Sequence, residues 1–306
     1  MISFRYHIVS IIGIFLAFAL GVAVGTAALN GAVTDRLRSQ VNSLQSTGDS
    51  LRRDNQGLTQ TVDAQNQFAA TYGPALLGGS LTGHGIALVQ APGATDAEAD
   101  AIAANLQAAG AQVSGRITLA LDYFDRARAG DIRALATGPA HPAGLQLPAT
   151  DDVGQLGGAM LAYVLVGAAN QSDISMVMAG FTALQMVKVA GGAMQAGDLA
   201  IVVTGGAFGA QDDATAAMIS ALAQQLRAGG KGAVVAGDPA SAGAGGAVSS
   251  IRANAAASAV VSTVDDADGP LGQLTAVLAL AEQLAGKAGQ YGIGPGASGI
   301  APASGG

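Results

Sequence analysis

Between Ile8 and Ala28 the chain carries no charge, and Ser10 and Thr26 are the only polar side chains in the run. A helix needs roughly 20 apolar residues to cross the hydrocarbon of a bilayer. The stretch therefore predicts a single transmembrane helix over residues 8–29, preceded by a short cytoplasmic N-terminus, residues 1–7. Whatever follows must fold while tethered to a membrane. A cleaved secretory signal is the rival reading, with Arg5 as its positive start and Gly25-Thr26-Ala27 as a small-residue cleavage site. The apolar core of such a signal is only about 7–15 residues, and this one runs longer, so it reads as a retained anchor. Ala17, Gly21 and Gly25 fall at small-xxx-small spacing, which lets two membrane helices approach closely. The flanking charges, Arg5 and the terminal amine against Arg36 and Arg38, weakly favour a cytoplasmic C-terminal side, a bias that long domains override.

Directly after the anchor, Leu37, Leu44, Leu51 and Leu58 recur at sevens, and Val41, Gly48, Asn55 and Val62 occupy the other core position of the same heptad. That pattern predicts a coiled-coil helix over residues 35–70. Gly48 costs the helix about 1 kcal/mol relative to Ala. Asn55 is a polar core residue of the kind that fixes register and oligomeric state. Asp35, Asp49, Asp54 and Asp63 balance Arg36, Arg38, Arg52 and Arg53. The expected interface is Leu37, Val41, Leu44, Leu51, Asn55, Leu58 and Val62, taken either by a second copy in a homodimer or by a partner protein's helix. A lone amphipathic helix lying on its own domain is the alternative. Following the small-residue motif, the heptads add to the argument for dimerisation. Gly73-Pro74 and Gly78-Gly79-Ser80 are expected to end the helix.

From His84 onward apolar runs alternate with amphipathic stretches, the pattern of a layered α/β domain over residues 84–286. Strands are expected at Ile86–Gln90, Gln112–Leu119, Leu199–Thr204, Gly232–Ala236 and Ala259–Val264. Helices are expected at Asp96–Ala109, Asp122–Ala136, Asp212–Ala228 and Leu271–Ala285, with two buried Ala- and Met-rich helices at Val153–Ala169 and Ile174–Val187. About five strands with helices between them predict a mostly parallel, doubly wound sheet. Residues 287–306, rich in Gly, Pro, Ser and Ala, read as a disordered tail. Half of the residues are hydrophobic but only 4% are aromatic, which suits close helix–strand packing better than an aromatic-lined pocket. A net charge of −7 without a basic cluster argues against nucleic acid as a partner. The chain has no Cys, which excludes disulfides, thiolate metal sites and Cys nucleophiles.

Little in the sequence points to chemistry. Gly205-Gly206-Ala207-Phe208-Gly209 stands between a strand and a helix, yet matches neither G-x-G-x-x-G nor a P-loop, and reads as a tight turn, with Asp212-Asp213 capping the next helix. Asp151-Asp152 and Asp265-Asp266-Asp268 precede expected helices, where capping explains them better than cation binding or acid/base work. No G-x-S-x-G is present, and the three histidines, His7, His84 and His141, form no triad pattern, so enzymatic activity is not expected. No cofactor is expected either. For copper, the one candidate is Met176-Val177-Met178 with Met186 beyond it, because thioethers suit Cu(I). On a helix Met176 and Met178 point to different faces, and core packing is the simpler account of both.

Met1-Ile2-Ser3-Phe4-Arg5-Tyr6-His7-Ile8-Val9-Ser10 running into a Gly/Ala-rich apolar helix resembles the start of the actinobacterial copper transport protein B (MctB) family. Val264-Asp265-Asp266-Ala267-Asp268 is similar to that family's C-terminal motif, as are Leu278-Ala279-Leu280-Ala281-Glu282-Gln283-Leu284-Ala285-Gly286 and Gly289-Gln290-Tyr291-Gly292. The order of coil and α/β domain between these ends also fits. The resemblance implies copper efflux or homeostasis, with an outer-membrane location proposed for the family. It also implies a second role, in cell division, as a membrane-anchored partner whose coil engages and activates a septal peptidoglycan hydrolase. Both place the large domain outside the cytoplasmic membrane, in the periplasm or cell envelope, with copper as a transported or bound species. An outer-membrane barrel needs many alternating strands of roughly ten residues and aromatic girdles, and this sequence has neither. A single pass of the cytoplasmic membrane is the location expected.

Overall fold

The computed structural model describes residues 4–139, 141–208 and 213–303. The chain divides into two units, residues 1–64 and residues 65–306, with the boundary inside one long helix, α1 (Phe4–Leu77). The first unit consists of α1 alone. The second is an α/β domain, as the sequence predicts.

The chain order of that domain is β1 (Gly85–Gln90), α2 (Asp96–Ala108), β2 (Gln112–Leu119), α3 (Leu121–Phe124), α4 (Ala129–Thr137), α5 (Val153–Leu165), α6 (Gln171–Ala183) and β3 (Val187–Ala190). There follow β4 (Leu199–Thr204), α7 (Asp213–Gly229), β5 (Gly232–Gly237), α8 (Ala247–Ala253), α9 (Ala255–Ser258), β6 (Ser262–Val264), α10 (Pro270–Leu284) and β7 (Gln290–Tyr291). The seven strands lie in the order β3-β2-β1-β4-β5-β6-β7, and all pairs are parallel except β2–β3. β1 and β4 form the switch point, from which the chain winds outward in both directions.

Covering helices on both faces explains why the central strands read as unbroken apolar runs. Ala87 and Val89 of β1, Ala200 and Val202 of β4, and Ala233 and Val235 of β5 face one core, shared with α4–α8. The alternate residues, Ile86 and Leu88, Leu199, Ile201 and Val203, and Val234 and Ala236, face a second core with α2, α10 and the last turn of α1. Thr95 opens α2 with a full capping box, its hydroxyl accepting from Glu98 N–H while the Glu98 carboxylate accepts from Thr95 N–H.

Four expectations need correction. Gly73-Pro74 does not end α1, which continues to Leu77 with Pro74 inside it. Proline removes one intrahelical hydrogen bond, but Ala69 and Leu77 are buried and Gly73 lies against Leu274, so packing holds the turn until Gly78 and Gly79 end it at positive φ. The helix expected over Asp122–Ala136 is broken at Asp125, whose extended backbone and side-chain cap on Ala127 N–H start a short 3-10 turn. Arg128 locks the break by donating to Asp122, Asp131 and the Leu184 carbonyl, at 2.8–2.9 Å. The helix expected to run to Val187 stops at Ala183, because Gln185 at φ 58° turns the chain into edge strand β3.

The fourth concerns the expected disordered tail. Described residues 287–303 are folded, and β7 extends the sheet beside β6. The cause is Arg252, buried with Asp265 at 2.5 Å, which also donates to the carbonyls of Tyr291 (2.7 Å) and Pro295 (2.9 Å). Asp265 in turn accepts from the N–H groups of Ile293 (2.7 Å) and Gly294 (3.0 Å). Asp265 is thus a buried clamp on the C-terminal segment rather than a helix cap; α10 starts at Gly269 without a side-chain cap. Removing one partner of a buried ion pair costs about 3–5 kcal/mol. Arg252→Ala should therefore lower urea stability by that order and expose the segment after Tyr291 to proteases. A wild-type digestion pattern would show that the clamp does not hold it.

Candidate functional site

In the first unit the candidate surface is α1 itself. Tyr6–Thr26, 21 residues, is long and apolar enough to cross a membrane, and its side chains face outward throughout the described stretch. The Thr26 hydroxyl bonds back to the carbonyls of Val22 and Ala23, which satisfies the one polar group near its end within the helix. Nothing stands within 4 Å of a side chain built at Gly21 or Gly25, so that face is smooth and open, and Ala17 on the same face is exposed.

Farther along, all six apolar seam residues are outward, from 50% exposed at Val41 to 71% at Leu44. Leu37, Leu51, Leu58 and Val62 lie between those values, and Asn55 is exposed on the same seam. Beside the seam, Arg38 pairs with Asp35 at 3.9 Å and Arg52 with Asp49 at 3.0 Å. Ser39, Thr59 and Thr61 turn their hydroxyls onto carbonyls four residues earlier. The helix has thus satisfied its polar groups locally and left its apolar ones to solvent.

In the α/β unit, ligands of doubly wound sheets sit at the carboxyl ends of the strands, at the switch point. Here that point is closed by backbone. Ala91 N–H donates to Val203 O (2.8 Å) and Gly205 N–H to Pro92 O (3.2 Å). A side chain at Gly205 would fall 2.2 Å from the Gly93 carbonyl oxygen, so only glycine permits the two turns to touch. Gly206, at φ 39°, donates to Asp238 at 2.9 Å, which fixes the glycine turn that the sequence marked. Gly209 and Asp212, named with that turn, lie outside the described residues.

Asp152 caps α5 as expected, accepting from Gln155 N–H at 3.0 Å. Asp266 and Asp268 stand near the same carboxyl edge. Asp266 is raised from 3.8 to about 6, first by burial and then by the charge of Asp265, and its buried Oδ1 has no hydrogen-bond partner. Asp268 is raised as well, by burial and then by Asp238 and Glu98. Among the described residues no three His, Asp or Glu side chains converge as metal ligands do.

Sequence reasoning missed one polar knot. Asp198 accepts from Lys231 Nζ (2.8 Å) and Gly85 N–H (3.1 Å) and meets His84 Nδ1 at 2.6 Å, joining the starts of β1, β4 and β5. Together these donors hold the Asp198 carboxyl below its ordinary value against the opposing effect of burial. The residues lie more than a hundred positions apart in places, so only the parallel sheet reveals them; the knot sits at the end opposite the usual ligand crevice. His84 stands just before β1 and His141 is in the loop after α4. Met178 is buried in the core beside Val177 and Phe181, while Met176 is partly exposed on the other side of α6. The two sulfurs do not face one point.

The profile of the family described as copper transport outer membrane protein, MctB, matches residues 1–302. The chain belongs to the MctB family. Relatives called copper transporter MctB in Mycobacterium bovis and Mycobacterium tuberculosis are 30% identical over 98% of this chain and 99% of their own length. The one from Mycobacterium leprae is 29% identical over the same shares. The match to the MctB profile takes in the apolar start of α1, the rest of that helix and the α/β domain together.

The acidic edge yields a measurable consequence. The folded pKa of Asp266 lies above its unfolded value, so the fold favours the neutral form. The penalty is absent below 3.8, grows as pH rises towards about 6, and is complete above that. At about 1.4 kcal/mol per unit, discounted for partial exposure, Asp266→Asn should add on the order of 1–2 kcal/mol at neutral pH. It should also flatten the loss of stability between those two values, as read by urea denaturation at several pH values. An unchanged slope would sink the assignment.

Proposed function

We propose that this chain is a non-enzymatic, single-pass protein of the cytoplasmic membrane that serves copper efflux or homeostasis, with its α/β domain on the envelope side. The observation that carries this reading is the match to the MctB family over residues 1–302, with relatives named copper transporters at 30% identity across nearly their whole length. Copper is the cargo here, and no resident cofactor is assigned. A single apolar helix cannot line a channel on its own, and the α/β domain has no feature of a membrane barrel. The chain's contribution to copper handling is therefore to hold and position other components rather than to form the pore. Closure of the switch point by backbone, with glycine against glycine, supports a non-catalytic domain.

A second reading is favoured by the exposed seam of α1. A stripe of six apolar side chains, each at least half exposed, is a surface for another helix. In this reading the coil is an adaptor that binds and activates a septal peptidoglycan hydrolase during cell division.

The two readings separate in one experiment. Cell-associated copper is measured in a deletion strain and in the same strain carrying Leu44→Asp, Leu51→Asp and Leu58→Asp. Under the copper reading, deletion raises copper, and rescue by the broken-coil variant would make the coil a spacer. If copper never changes while broken-coil cells fail to separate, the adaptor reading stands and the copper reading falls. For the methionines, Met176→Leu should leave copper levels as in wild type, a reading supported by the burial of Met178 against the exposure of Met176; a loss of copper tolerance would restore them as a candidate site.

A further inference from the structure

The anchor and the coil of α1 each offer one face, and the geometry of a continuous helix fixes how those faces are turned. The first unit is helical from Phe4 to its end at Ala64. At about 100° per residue, Val41, Gly48, Leu51, Asn55, Leu58 and Val62 all fall within about 60° of Leu44. On the same scale Gly25, Gly21 and Ala17 lie roughly 100°, 140° and 180° from it. Tightening to 3.5 residues per turn, as in a supercoil, leaves them about 100–155° away. The small-residue face therefore looks away from the seam under either winding.

We propose that the seam takes a second copy of this chain, parallel and in register, and that the anchors of this pair stand with their glycine faces turned apart. The proposal goes beyond both functional readings and takes from them only the exposed seam of α1. Three observations favour a second copy as the occupant. Two copies anchored at the same end of α1 in one membrane are parallel, which brings both Asn55 side chains to the same level, where each amide supplies the other's hydrogen bond. The arginines beside the seam also tolerate an identical partner: Arg38 and Arg52 are already paired with Asp35 and Asp49 of their own helix, so they bring no unpaired positive charge to a second copy. Finally, the missing side chain at Gly48 leaves an open hollow beside Val41, Leu44 and Arg52, where a second helix can approach closely. The membrane helix pair is then held by the coil, and the smooth face at Gly21 and Gly25 plays no part in it.

Because the chain contains no cysteine, single-cysteine variants report on each face without background. Full-length protein carrying Leu51→Cys, Gly48→Cys, Arg53→Cys, Gly21→Cys or Ala17→Cys is treated in native membranes with a short membrane-permeant bis-maleimide and resolved by denaturing electrophoresis. The expected result is a dimer band at twice the mass of the chain for Leu51→Cys and Gly48→Cys and its loss for the other three. Adding Gly21→Ile and Gly25→Ile to the Leu51→Cys variant should leave the band unchanged. A dimer band at Gly21→Cys or Arg53→Cys as strong as that at Leu51→Cys overturns the proposal. So does loss of the Leu51→Cys band when the glycine face is filled. Absence of any dimer at both seam positions overturns the second copy as occupant. Cellular copper enters none of these readouts, so the copper reading stands or falls separately.

Discussion

Two-sided burial of β1, β4 and β5 is the constraint on which the α/β domain rests. Each strand offers apolar groups to both faces, so neither layer of helices is dispensable. The sheet cannot form as a half-solvated intermediate without exposing Leu88, Ile201 or Val234 on one side or Val89, Val202 or Val235 on the other. Small residues make this possible. Ala200 and Ala233 let α7 lie close to β4 and β5, and Gly232 admits the side chains of Leu199 and Gln283. Such a core transmits strain readily, because close-packed interiors have little room to relax. Asp198 and Asp265 enter it within hydrogen-bond networks, whereas the hydroxyls of Tyr123 and Thr275 are buried without a partner.

The sequence and the structure meet where periodicity is strong. Gln112–Leu119 and Leu199–Thr204 are strands with the bounds expected from their apolar runs, and a helix begins at Asp96 as expected, behind the Thr95–Glu98 capping box that the structure adds. Agreement fails where tertiary contacts overrule local signals. Pro74 is a strong helix breaker, but it lies in a turn nailed down by Ala69 and Leu77. Gln290 and Tyr291 sit among glycines that promise disorder, yet Arg252, nearly forty residues earlier, recruits them to the sheet. No local pattern contains that information. Asp265 was legible only as one acid among several, and its burial depends on a guanidinium that becomes its neighbour only in the folded sheet.

The candidate surfaces divide along the same line. The membrane span and the heptad seam are properties of one helix, so residue spacing alone reveals them. The closed switch point belongs to two loops more than a hundred residues apart, Pro92-Gly93 and Thr204-Gly205, and spacing is silent about it. A glycine-rich turn after a strand usually raises the expectation of a phosphate cradle. Here its glycines serve contact between two main chains instead, which leaves the outer surfaces of the molecule, rather than a crevice, as the places where function is to be sought.

The clamp on the segment after Tyr291 also bears on synthesis. A chain emerging in order from its N-terminus makes β6 and Asp265 available well before Tyr291, Ile293 and Gly294 arrive. Until residues 290–295 are released, β6 is an open edge, and Arg252 lacks the carbonyls that complete its ligation. Folding of this domain is thus finished only when that segment has joined it. A prematurely terminated product would carry an unsealed strand, and proteases would recognise truncation by that edge rather than by any change in the rest of the fold.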